Sequence, residues 1–303
     1  MFDTPQLQHP LNIMLAIDGS EHSRAAISLL CDLPLPANST ITALAVLDPQ
    51  HTAKRMTLMA ILDETQSILQ GKGVEVATGI LHGSPAGALT KFADDNRPDL
   101  IVMGAKGLRA TLGILLGGVS QQMVEYARWP VLVVRAPYTG LKRVLLVTDG
   151  SDYSRQALDY LAQFSLPAQA EVHVLHVLPP LPSLDLAARA WPVGADILPA
   201  MVTQSSEEIR AWEKEEESEG QGLLDRTLAA LRAAGINAEG HMQRGDAATE
   251  IIEFVKLHSI DLIVAGSRGL SQMEGWLLGS VSRKLLHYSG CSVLVVKGEP
   301  KNS

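Results

Sequence analysis

Cysteine is almost missing: only Cys31 and Cys291 occur in 303 residues. They stand far apart and share no Cys-x-x-Cys spacing, so neither a disulfide framework nor a paired-cysteine zinc site is indicated. Positive charge is in deficit, with 25 Lys and Arg against 33 Asp and Glu for a net charge of −8. That balance leaves no electrostatic footprint for non-specific nucleic acid or an anionic membrane surface. No apolar run approaches the roughly 20 residues of a membrane span. The opening Met1-Phe2-Asp3-Thr4-Pro5-Gln6 lacks the basic and apolar regions of a signal peptide, so a cytoplasmic protein is expected. No Gly-Lys-Ser/Thr phosphate loop, Gly-x-Gly-x-x-Gly, Gly-x-Ser-x-Gly or His-Glu-x-x-His is present, and nothing marks a nucleophile or a general base. This favours binding over turnover.

What is present is written twice. Asn12-Ile13-Met14-Leu15-Ala16-Ile17 runs into Asp18-Gly19-Ser20, and Arg143-Val144-Leu145-Leu146-Val147-Thr148 runs into Asp149-Gly150-Ser151. Asp99 to Gly104 (DLIVMG) matches Asp261 to Gly266 (DLIVAG), and Val131-Leu132-Val133-Val134 matches Val293-Leu294-Val295-Val296. The first pair is offset by 149 − 18 = 131 residues and the others by 266 − 104 = 162. Repeats of this length are whole domains rather than solenoid units. The turn-rich segment around Ala136-Pro137-Tyr138 sets the expected domains at 1–138 and 139–303. The difference in offset places an insertion at about 179–210 of the second copy, followed by a helix from about Thr203 to Leu231. Short apolar runs alternating with helical patterns predict βαβ units around a parallel sheet covered on both faces. In such sheets a ligand sits beyond the carboxyl ends of the strands, where strand order reverses. If the first and fourth strands of a copy are neighbours, Asp149 and Gly266 meet at one crevice.

The densest pattern is Gly266-Ser267-Arg268-Gly269, nine further residues, then Gly279-Ser280-Val281-Ser282, between an apolar run and a helical one. Glycines let backbone approach a ligand closely, and a helix N-terminus offers free N–H groups to an anion. The pattern therefore proposes a phosphate cradle; the plainer alternative is a glycine-rich connection that serves packing. The first copy keeps Gly104, Gly107 and Gly117, but Gly118 stands where the second has Ser280, with Ser120 matching Ser282. One lost hydrogen bond of about 1 kcal/mol makes this the weaker site. Asp18 and Asp149 could accept from sugar hydroxyls or merely start the turn into a helix through an Asx-type bond. His173 and His176 lie three apart on a strand and point to opposite faces, so they cannot share a metal, and no protein metal site is expected. Glu213-Lys214-Glu215-Glu216-Glu217-Ser218-Glu219 reads as a solvated helix face.

These motifs resemble the universal stress protein family, above all Gly-x-x-Gly-x9-Gly-Ser, the strand ending in Asp-Gly-Ser and the second strand ending His176-Val177. The likeness covers nearly the whole chain as two tandem copies of the ATP-binding subclass. It implies two α/β domains with a flavodoxin- or Rossmann-like nucleotide-binding architecture. Each would have a five-stranded parallel sheet, order 3-2-1-4-5, with helices on both faces. It implies that Asp149 meets ribose and the Val177 backbone meets adenine. Gly266, Gly269, Gly279, Ser280 and Ser282 would hold ribose and phosphates, with Arg268 reaching a phosphate. Asp18, Val46, Gly104, Gly107, Gly117 and Ser120 align in the first copy. The cofactor implied is ATP, with AMP or another adenine nucleotide as alternatives and Mg²⁺ accompanying the phosphates. The family's last strand pairs antiparallel with its counterpart, so the chain would be a pseudo-dimer, with a further homodimer and an unknown protein partner left open. The function implied is a nucleotide-dependent sensor or binding partner in stress response. The alternatives are a slow ATPase or adenylate-kinase-like phosphotransferase, and a nucleotide-free scaffold binding a partner or apolar ligand through Leu181, Leu184, Trp191 and Ile197.

Overall fold

The computed structural model describes residues 10–47, 55–108, 116–181, 198–270 and 278–297, with backbone only for 198–209. The first half runs β1 (Asn12–Ala16), α1 (Glu21–Asp32), β2 (Thr40–Leu47), α2 (Arg55–Gln70), β3 (Glu75–His82), α3 (Pro85–Asn96), β4 (Leu100–Gly104), α4 (Gly118–Tyr126) and β5 (Val131–Val134). The second half repeats it as β6 (Arg143–Thr148), α5 (Asp152–Gln163), β7 (Glu171–Leu178), α6 (Leu198–Ala233), β8 (Ala238–Arg244), α7 (Ala247–Leu257), β9 (Leu262–Gly266), α8 (Ser280–Tyr288) and β10 (Ser292–Val296). Each half has parallel strands in the order 3-2-1-4-5, and the two join into one ten-stranded sheet, β3-β2-β1-β4-β5-β10-β9-β6-β7-β8.

Strand alternation explains why both faces must be covered. Met14 and Leu15 are adjacent, yet they belong to separate buried clusters on opposite faces of the sheet, as do Leu145 and Leu146. The continuous apolar runs, which looked fully buried, are so: Leu262, Ile263 and Val264 are all fully inaccessible. One cluster gathers residues of α1, α2, α5 and α6, and the other gathers residues of α3, α4, α7 and α8. Each contains residues from both halves, so the core is continuous across the junction.

At that junction β5 and β10 pair antiparallel, Val133 opposite Val293, Leu132 opposite Leu294 and Val131 opposite Val295. Two β edges that would otherwise expose unpaired amides close on each other. Two cations secure the seam from opposite sides. Arg135, just past β5, donates from Nε to the Cys291 carbonyl at 3.1 Å and from Nη2 to the Leu286 carbonyl near the end of α8 at 2.6 Å. Lys297, at the matching position past β10, donates to the Val124 carbonyl near the end of α4. Positions 124 and 286 are themselves counterparts at the 162-residue offset. Each half therefore places a cation where the other half's helix dipole is negative.

The helix expected from Thr203 begins earlier, at Leu198, and runs 36 residues where its counterpart α2 runs 16. Its second part packs as α2 does: Leu223 lies beside the Gly150 turn as Ile61 lies beside Gly19. Arg244, at the end of β8, anchors the helix through Glu216 at 2.8 Å. Leu184, Trp191 and Ile197 lie outside the described residues, while Leu181 is exposed. Among the described residues no helix is long and apolar enough to cross a membrane.

Candidate functional site

Strand order reverses at β1 and again at β6. β1 has β2 on one side and β4 on the other, and β6 has β7 and β9. The crevice expected beyond those carboxyl ends is therefore duplicated, with Asp18 and Gly104 at one and Asp149 and Gly266 at the other.

In the second half the Asp-Gly-Ser turn does three jobs at once. Gly150 takes φ +80°, a left-handed conformation that side chains rarely adopt. Ser151 caps α5 by accepting from the Ser154 amide at 3.2 Å. Asp149 Oδ1 accepts from the Ser151 amide at 3.0 Å, the Asx-type bond, and its Oδ2 accepts from the Leu270 amide at 3.1 Å. The second bond latches the glycine loop onto the strand end. Gly269 is required there, since a Cβ would stand 2.5 Å from Asp149 Oδ2. The loop returns with the Gly279 amide donating to the Ser267 carbonyl at 2.7 Å, and Ser282 Oγ donating to the Gly266 carbonyl at 2.7 Å. Ser280 is exposed at the first position of α8. Val177 sits near the end of β7, one residue past the His176 that pairs with Thr148.

Helices α4 and α8 differ from α1, α5 and α7 in how they start. The latter three are capped by Ser20, Ser151 and Asp246 side chains. Gly117 and Gly279 cap α4 and α8 with no side chain at all, so among the described residues no side-chain cap meets their first-turn N–H groups; Ser84 makes no cap bond to α3 either, where a proline stands in the first turn. The hydroxyl expected to open α8 is thus Ser280 just inside the helix, not at its cap.

The first half reproduces this nearly atom for atom. Asp18 Oδ1 accepts from the Ser20 amide at 3.0 Å and Oδ2 from the Leu108 amide at 2.9 Å. A Cβ on Gly107 would stand 2.6 Å from Asp18 Oδ2, and Ser120 Oγ donates to the Gly104 carbonyl at 2.8 Å. Val46 occupies the place of Val177 near the end of β2. Gly118 has open space around it.

Tyr153 and its counterpart His22 went unnoticed in sequence. Tyr153, four past Asp149, touches Gly266 so closely that a Cβ there would lie 2.6 Å from its backbone. Arg268 rests over the Tyr153 ring at 5.5 Å and donates to its hydroxyl at 3.2 Å. The counterparts in the first half are His22 and Lys106. His22 Nδ1 accepts from the Ala136 amide at 2.9 Å, and burial followed by the Lys106 charge holds its pKa below the ordinary value. The only sequence signal for either was its spacing, four residues beyond the aspartate.

A tandem, doubly wound α/β architecture with a glycine loop at each switch point defines a class of ligand-binding fold. The universal stress protein family model matches residues 11–135 and again 140–297, and the chain belongs to that family. Universal stress protein YxiE of Bacillus subtilis is 33% identical over 155 residues, covering 51% of this chain and 98% of that one. A universal stress protein of Mycolicibacterium smegmatis is 26% identical over 309 residues, covering 94% of this chain and 96% of its own. The crystal structure of a universal stress protein from Archaeoglobus fulgidus shares the fold, with a TM-score of 0.62 at 22% identity over 95% of this chain and 96% of that one.

Proposed function

We propose that the second crevice binds an adenine nucleotide, ATP in the first instance, and that the protein acts as a nucleotide-dependent sensor or binding partner in stress response. The observation that carries this reading is the uncapped start of α8 beside a loop latched by Asp149. Free first-turn amides attract phosphate oxygens, and three glycines keep the approach open. Asp149, Val177, Gly266, Gly269, Gly279, Ser280 and Ser282 are the proposed contacts. Arg268 would leave Tyr153 to meet a phosphate, and Mg²⁺ would ride with the phosphates rather than in a protein cage. The first crevice, through Asp18, Val46, Gly104, Gly107, Gly117 and Ser120, is the weaker of the two because Gly118 brings no hydroxyl. Domains of 1–138 and 139–303 would then each carry one site.

The test is titration of ATP against the full chain and its variants. Gly269→Ala places a methyl against the Asp149 carboxylate, a side chain that can move, so the fold survives while the cradle is lost. ATP affinity should fall by about tenfold or more, roughly 1.4 kcal/mol, whereas Gly107→Ala should change the tighter binding little. Gly266→Val would report on folding instead, since its Cβ meets Tyr153 backbone. An ATP affinity untouched by Gly269→Ala sinks the proposal. Sustained phosphate release abolished by that same substitution would replace it with the ATPase reading.

A further inference from the structure

Away from both crevices, on the outer part of the sheet, three ligating side chains meet across two strands. His173 of β7 lies directly opposite Glu239 of β8, and His241 follows Glu239 by two residues. Pleating then puts all three on one face, the face covered by α7. The reading that His173 and His176 face opposite sides stands; the partner for His173 comes from the neighbouring strand. His173 Nδ1 lies 3.1 Å from His241 Nε2, and Glu239 Oε2 lies 3.8 Å from each of those nitrogens.

We propose that His173, His241 and Glu239 bind a first-row divalent cation of borderline softness, for which Zn²⁺ is the natural probe. Two imidazoles and one carboxylate form a recognised donor set for such ions. Donors about 2.0–2.1 Å from a tetrahedral ion stand roughly 3.4 Å apart, and the distances of 3.1 and 3.8 Å bracket that value. Glu239 is largely exposed and free to close the remaining few tenths of an ångström. Burial lowers the pKa of both histidines by desolvation, with the Glu239 carboxylate pulling the other way. The rings are held in place by apolar packing. Phe254 of α7 lies 4.8 Å from the His241 ring and 6.0 Å from that of His173, and His258 stacks on Phe254 at 3.9 Å.

Charges around the cluster oppose each other. The Arg143 guanidinium disfavours positive charge at His173, while Glu171, which pairs with Arg143 at 3.4 Å, favours it. Glu239 supplies the one negative charge among the three donors. An ion there would tie the edge strand β8 to β7 beneath α7. His173 is also five residues before the end of β7, about 16 Å along the strand from the nucleotide end. Ion binding and nucleotide binding are therefore separable.

The experiment is titration of the full chain with Zn²⁺ against a chromophoric chelator, repeated with Co²⁺ for its visible absorption. Glu239→Gln removes the carboxylate charge at an exposed position and should leave the fold intact. It should weaken the tight Zn²⁺ site by at least about tenfold, since even residues that merely orient a ligand cost 10–100-fold. His241→Gln should abolish the Co²⁺ spectrum of that site. His82→Ala, on the far edge strand, should change neither, and ATP affinity should stay the same in all three. If the wild-type chain takes up no Zn²⁺, or if both site variants bind it with wild-type affinity and spectrum, the cluster is only a hydrogen-bonded histidine pair and the proposal fails. Should His241→Gln fail to fold, Glu239→Gln alone decides.

Discussion

Replacing Lys297 by Met should flatten part of the pH dependence of stability. Lys297 follows the last strand, donates to the Val124 carbonyl of the other half, and feels the positive charge of Arg268. Burial first, and Arg268 second, lower its pKa from the ordinary 10.5 to about 8, against a small opposing pull from Glu125. Between those values the unfolded chain holds a proton that the folded chain has lost, so stability rises with pH across that window. Below it both states are protonated, and folding carries the full cost of a desolvated ammonium. Each pH unit inside the window is worth up to about 1.4 kcal/mol, and the whole interval at most about 3 kcal/mol. Met keeps the length of the side chain and removes the titration. The assay is urea unfolding of the wild type and Lys297→Met between pH 7 and pH 10, with the difference in unfolding free energy plotted against pH. The difference should move by about 2 kcal/mol in favour of the wild type as pH rises from 8 to 10. A difference that stays level across that range would refute the reasoning, because other titrating groups are common to both proteins. Bound ATP, if its phosphates draw Arg268 away or neutralise it, should shift the transition upward.

Three outcomes can be read with similar tools. Arg135→Met removes the charge-assisted hydrogen bonds to the Cys291 and Leu286 carbonyls across the seam and should cost about 3 kcal/mol of unfolding free energy, measured in urea at pH 7. Gly118→Ser adds a hydroxyl where a Cβ meets nothing; it should tighten ATP binding at the first crevice about fivefold, seen as a second, stronger step in the ATP titration. Ser280→Ala should loosen the second crevice by a similar factor, bringing the two sites together in affinity.

Much of the fold could be read from residues because its signals are local and repeated. Two Asp-Gly-Ser turns, two Asp-Leu-Ile-Val strands and two glycine loops fall at matching offsets, and apolar runs between them leave little choice but buried parallel strands. The seam came with the family resemblance; the residues add only that Val131–Val134 and Val293–Val296, as exposed edges, would need partners. What stayed hidden depends on which atom faces which. The dual use of Asp149, with one oxygen for its own turn and one for the loop, is invisible until the loop is placed. Arg268 on Tyr153 joins residues 115 positions apart. Arg135 and Lys297 each satisfy a carbonyl of the opposite half, which no local pattern encodes. His173 and His241 meet only because of the β7–β8 register, which is set across the long α6 connection. A count along one strand could show that His173 and His176 part company, but not whom His173 would meet.

The antiparallel seam has a consequence for how the molecule presents itself. All strands of the first half run one way, and pairing β5 against β10 makes all strands of the second half run the other way. Their carboxyl ends, with Asp18 at one and Asp149 at the other, therefore open toward opposite poles of the sheet. No single flat surface can engage both poles at once. A partner that reads the end at Asp149 is blind to the end at Asp18, and two partners could be carried back to back by one chain without competing for room.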